Sequence, residues 1–83
     1  MIRFEIFTTE KAISFSNIDE VAIVMDSAGI EELCRSLERL KTVEGTNHLH
    51  LSIFGCSDID LDEHAPTTPN CTLIPQVRIV KIS

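Results

Sequence analysis

The residues best equipped for chemistry lie in the second half of the chain. His48 and His50 flank a leucine in the run His48-Leu49-His50-Leu51. Residues two apart on a strand point to the same face, so a strand here would set both imidazoles side by side. Two such imidazoles with a third donor could ligate zinc, and Cys56, Asp58, His64 and Cys71 supply donor types nearby in sequence. No second ligand pair at a recognised spacing accompanies them. The plainer reading is two strand histidines bonded to their neighbours.

Asp58, Asp60 and Asp62 spell D-x-D-x-D, the opening of a calcium loop. The pattern then fails. Glu63 stands where that loop needs glycine, and Pro69 where it needs a bidentate glutamate. Ile59 and Leu61 between the acids suit a short edge strand guarded by charge. With Glu63 the run holds four acids in six residues, the densest charge in the chain. It reads as a solvated stretch or as an acidic patch for a basic partner. Among nucleophiles, Cys34 falls on an apolar helical face and reads as core filler. Cys56 or Cys71 could pair with His64 or His48, but no third group orients such a pair. The three glycines, at 29, 45 and 55, make no phosphate-cradling loop. The expectation is a non-enzymatic protein without a catalytic constellation, metal or cofactor.

These residues need a scaffold to position them. Ile2, Phe4 and Ile6 alternate with Arg3 and Glu5, the period of a strand. Thr8–Asn17 reads as a turn with a short irregular strand. Glu20–Asp26 is nearly continuous apolar and reads as a central strand. Asp26 and Ser27 are good N-caps, with Glu31 and Glu32 expected in the first turn, where the helix dipole favours acids. Ile30, Leu33, Cys34, Leu37, Leu40 and Val43 then recur at three- and four-residue spacing, which predicts an amphipathic helix with one core face. Gly45 reads as its stop, while Gly29 weakens its first turn. His48–Phe54 alternates again, Gly55–Pro75 holds all three prolines and reads as loop, and Gln76–Ile82 is a final strand.

The order predicts an α+β fold: a single, mostly antiparallel sheet of four to five strands with one amphipathic helix packed on one face. Its helix side would hold Ile2, Phe4, Ile6, Val21, Ile23, Met25, Leu49, Leu51, Ile53, Val77 and Ile79. Its other side would hold Arg3, Glu5, Phe7, Ala22, Val24, His48, His50, Ser52, Phe54, Arg78, Val80 and Ile82. That second side is too apolar to be left bare comfortably, so it is expected to meet a partner or a second copy.

Bulk composition narrows the class. Eighty-three residues make one domain, 1–83, with a modest core. Thirteen acids against seven bases give a net charge of −6. Phosphate contacts need clustered Lys and Arg, so nucleic acid is not an expected partner. Three cysteines without C-x-x-C spacing do not form a secreted disulfide framework. The opening MIRFEIF lacks the basic start of a signal peptide, and no apolar run reaches the roughly 20 residues of a membrane span. Cytoplasm is the expected compartment, with no membrane association.

An apolar strand, a helix patterned on Asp26, Gly29, Ile30, Leu33, Leu37 and Leu40, a turn at Gly45, and then His48-Leu49-His50-Leu51 together resemble a family of small bacterial immunity proteins. The family is immunity protein family thirty-two of polymorphic toxin systems. The resemblance covers about Val21–Phe54. Beyond it, Gly55-Cys56-Ser57-Asp58 departs from the Gly-Leu-Ser-Glu-like turn of the family. The resemblance implies an α+β fold and a binding role, neutralising a cognate toxin by occlusion. An acidic inhibitor suits a basic nuclease, its carboxylates standing in for phosphates. On that reading Asp58, Asp60, Asp62 and Glu63 form the charged part of the toxin-facing surface, with His48 and His50 as a second patch. The alternative is a small metal- or ligand-binding domain using the His48/His50 face. A homodimer through the open sheet face is a third expectation.

Overall fold

A computed structural model describes residues 1–8, 18–64 and 68–83. The elements in chain order are β1 (Ile2–Thr8), β2 (Ile18–Met25), α1 (Ser27–Thr42), β3 (Asn47–Ser52), β4 (Ile59–Asp60), β5 (Cys71–Ile74) and β6 (Gln76–Lys81). The fold is α+β with one helix. The irregular strand expected over Thr8–Asn17 lies, beyond Thr8, outside the described residues.

The expected single sheet is instead two sheets of three strands, in the orders β2-β1-β5 and β4-β3-β6. In the first, β1 runs antiparallel to β2, with Ile2 opposite Met25 and Phe4 opposite Ile23. It also runs antiparallel to β5, with Phe4 opposite Ile74. In the second, β3 is antiparallel to β6 and parallel to β4. The division arises at the outer edge of β1. β5 occupies only Phe4–Phe7, and the Ile2 carbonyl accepts the Asp62 N–H at 2.7 Å. The neighbouring Leu61 N–H donates to the Ser52 carbonyl at 2.8 Å. Residues 61–62 thus step from β3 to β1, joining the sheets without building a ladder between them.

β5 falls inside the stretch read as loop. Cys71-Thr72-Leu73-Ile74 is β-prone, but it is confined between Asn70, at φ 64°, and Pro75. Proline removes a ladder donor, and here it marks where the chain leaves one sheet for the other. A second dense stretch of turn chemistry joins β3 to β4. Gly55 and Cys56 both take left-handed φ values, 76° and 51°, which turns the chain back beside β3 within six residues. Parallel strands usually need a longer crossover, and only a two-residue strand fits here.

One core cluster spans both sheets: Ile2 and Phe4 from β1, Leu51 from β3, Ile59 from β4, and Leu61 just after it. Leu33, Leu49, Val77 and Ile79 pack against it half-buried. The helix presents a narrower face than expected. Gly29, Ser36 and Leu40 are buried, whereas Ile30, Cys34 and Leu37 are exposed. The core-facing stripe therefore runs through 29, 33, 36 and 40, one position off the most apolar row. Gly29 explains that choice. A β-carbon there would lie 2.1 Å from the Met1 carbonyl oxygen, so only glycine lets the helix approach the start of β1. The residue that weakens the helix in sequence is what seats it.

The helix starts at the Asp26 N-cap, whose carboxylate accepts the Gly29 N–H at 2.8 Å. Its first turn holds no acid, so Glu31 and Glu32 stand one turn too late to meet the dipole as expected. The helix ends at Thr42, with Val43 already extended, one residue before the expected end. Lys81 on β6 reaches the orphan carbonyls there, donating to Lys41 O at 3.3 Å and to Val43 O.

Two further expectations about faces are corrected. Val21 and Ile23, placed on the helix side, are 55% and 51% exposed, because the helix covers only the Met25 end of β2. Arg3 and Glu5, placed on the open side, are buried, as is Ser52. Asp62 and Thr68, between β4 and β5, meet Arg3 and Glu5 there, and Ser52 bonds the turn at Phe54 and Gly55.

Candidate functional site

The six residues read as a surface separate into two groups. Asp60, Asp62 and Glu63 line an open groove of about 450 Å³, together with Met1, Ile53 and Leu61. His48 and His50 share one face of the β4-β3-β6 sheet, and Asp58 binds the His50 backbone at the β4 side of β3.

The groove rests on a buried ionic network. Arg3 on β1 lies 3.4 Å from the Glu5 carboxylate and 3.7 Å from that of Asp62. Glu5 is completely buried, and Thr68 closes over it, its N–H donating at 3.1 Å and its hydroxyl at 2.8 Å. Opposed charges and hydrogen bonds are what make such burial tolerable, and loss of one partner is costly. The network holds Asp62 near the end of the acidic stretch and Thr68 a few residues beyond that end. Asp60 and Glu63 stand exposed on this frame. His64 follows, its N–H 3.4 Å from Asp62 Oδ1.

The histidine row is built differently. His50 exchanges two bonds with Asp58: its N–H donates to Asp58 Oδ2 at 2.8 Å, and its carbonyl accepts the Asp58 N–H at 2.9 Å. His48 and His50 lie ring to ring, centroids 4.6 Å apart and planes tilted by 39°. Across β6, Arg78 stands opposite His50 and Val80 opposite His48. Opposite residues of a sheet share a face, so Arg78 and Val80 join the histidines. Lys81 alternates to the other side, toward the helix end. Among the described residues, no group of three His, Cys, Asp or Glu side chains is placed to hold a metal ion. The third donors expected for a zinc site, Cys56, His64 and Cys71, are not brought to the two imidazoles.

The cysteines are unbridged. Cys34 and Cys56 are exposed, and Cys71 is half-buried. Burial, followed by the charges of Glu5 and Glu20, pushes the Cys71 thiol above its ordinary range, which suppresses the thiolate. At the other end of β1, the Met1 ammonium sits 2.6 Å from Asp26 Oδ1. That bond, and then the Gly29 N–H, hold the Asp26 carboxyl below its ordinary value.

Sequence reading missed the network and the part played by Arg78. Arg3 and Glu5 carry no local signal of burial, because Asp62 and Thr68, which meet them, lie more than fifty residues away. Comparison of the chain with protein-family profiles, curated proteins and solved structures returned no match.

Proposed function

We propose that this chain is an immunity-type inhibitor, which acts in the cytoplasm of the producing cell and neutralises a cognate bacterial toxin by binding rather than by catalysis. The observation that carries the reading is the acidic groove. Asp60, Asp62 and Glu63 line it together with Met1, Ile53, Leu61 and His64, and Asp62 is tied to the buried Arg3–Glu5 pair. Carboxylates beside apolar side chains fit a basic protein surface, with charge speeding association and apolar contact slowing release. A nuclease toxin has such a surface where it binds phosphates. The resemblance of about Val21–Phe54 to the immunity family supports the same reading.

The test is neutralisation. The chain is co-expressed with a basic toxin domain encoded beside it, and survival of the host is scored. The native chain is expected to protect. Changing Asp58, Asp60 and Asp62 to Asn and Glu63 to Gln is expected to abolish protection while the protein stays folded by circular dichroism. Because Asp62 also meets Arg3, the double change Asp60→Asn with Glu63→Gln is the cleaner variant. Full protection by both variants would overturn the proposal.

A further inference from the structure

We propose that His48 and His50 form a two-imidazole chelate for a divalent late transition-metal ion, copper(II) or nickel(II), with water in its remaining coordination positions. The separation of the pair fits that role. An ion about 2.1 Å from an imidazole nitrogen lies roughly 3.2 Å from the ring centre. The two ring centres are 4.6 Å apart. Centres so spaced subtend about 90° at a shared ion, the cis angle of tetragonal or octahedral coordination. A closed tetrahedral zinc site would need centres about 5.2 Å apart and two further protein ligands. Turning either ring about its outer torsion swings the nitrogens but leaves the ring centre nearly in place. The lone pairs can therefore converge on one point without any shift of the strand.

The ring nitrogens are available, and the backbone beneath them is held. His48 is exposed and His50 half-buried. The His48 N–H donates to Asn47 Oδ1 and the His50 N–H to Asp58 Oδ2, both at 2.8 Å. These bonds engage the main chain. Among the described residues, none is made to an imidazole nitrogen of either histidine. β3 is also paired to β6 at both positions, His48 opposite Val80 and His50 opposite Arg78. Two donors carried on one fixed strand lose little freedom when they share an ion, which favours chelation.

The donor type sets the selectivity. Imidazole suits nickel and copper, with affinity rising from the first to the second. Magnesium and calcium require oxygen ligands. Arg78 stands opposite His50 and repels a cation, so the expected affinity is micromolar rather than nanomolar. The pair shares no residue with the acidic groove, so the inference stands whether or not the groove binds a toxin.

Calorimetric titration of nickel chloride into the untagged chain tests the proposal, with the exposed thiols of Cys34 and Cys56 alkylated beforehand. One nickel per chain is expected, with a Kd of roughly 1–100 µM. His48→Gln and His50→Gln are each expected to weaken binding about tenfold or more. His64→Gln and an excess of magnesium are expected to leave it unchanged. The exposed His48→Gln carries the result should His50→Gln fail to fold. Copper(II) on the alkylated chain is expected to show electron paramagnetic resonance couplings from two imidazole nitrogens. No nickel binding below about 1 mM would overturn the proposal. So would binding indifferent to His48→Gln, binding lost with His64→Gln or to magnesium, or a copper spectrum of oxygen ligands alone.

Discussion

β1 and β3 carry the same kind of alternation and meet opposite fates. On β1, the polar side of the strand, Arg3 and Glu5, is buried and met by Asp62 and Thr68 from between β4 and β5. On β3, the corresponding side, His48 and His50, lies open beside Arg78 and Val80. Alternation assigns a residue to a face but says nothing about what covers that face. On β1 the later chain adds a second carboxylate, Asp62, for Arg3 and two hydrogen bonds from Thr68 for Glu5. Where it does not, imidazoles and an aliphatic remain in solvent, ready for an external surface.

Breaking the buried side carries the largest expected effect. Glu5→Ala leaves Arg3 buried without one of its countercharges and removes the acceptor of two Thr68 bonds. It is expected to cost about 3–5 kcal/mol in urea unfolding. Gly29→Ala drives a methyl into the Met1 carbonyl at the head of the same strand, with an expected loss of about 1–3 kcal/mol. On the open side, His48→Gln is expected to change stability by no more than about 0.5 kcal/mol, because it exposes nothing and orphans no buried charge. If His48→Gln proved as costly as Glu5→Ala, the contrast between the two faces would fail.

Acid titration gives a smaller effect of known sign. The folded Asp26 carboxyl lies below its unfolded value near 3.8, held there by the Met1 ammonium and the Gly29 N–H. Its contribution is therefore present above that unfolded value and is lost as pH falls through the folded one. Asp26→Asn should narrow its stability gap to the native chain only below about pH 4. Thiol alkylation gives the smallest difference. Cys56 should react before Cys71, whose thiol is pushed up by burial.

Much of the fold was legible because its signals are local. The Asp26 cap, the β1 alternation and the strand through His48–Leu51 follow from neighbours a few residues apart. The helix rotation was not legible, because it depends on the Met1 backbone lying against Gly29. Two sheets replaced one for a similar reason: the short step at Leu61 and Asp62 is fixed by acceptors on β3 and β1. Of the site, the acidic stretch from Asp58 to Glu63 stood out by its charge. Its division between a groove and a histidine row did not, since only the paired strands place Asp58 beside His50.

The central functional claim is that the acidic groove binds a basic protein. Calorimetric titration of the chain into a basic toxin domain encoded by a neighbouring gene tests this most directly. One toxin per groove is expected, with affinity that falls as salt rises and drops about tenfold or more when Asp60→Asn and Glu63→Gln are combined. Absence of binding, or binding indifferent to both salt and those two acids, would contradict the account.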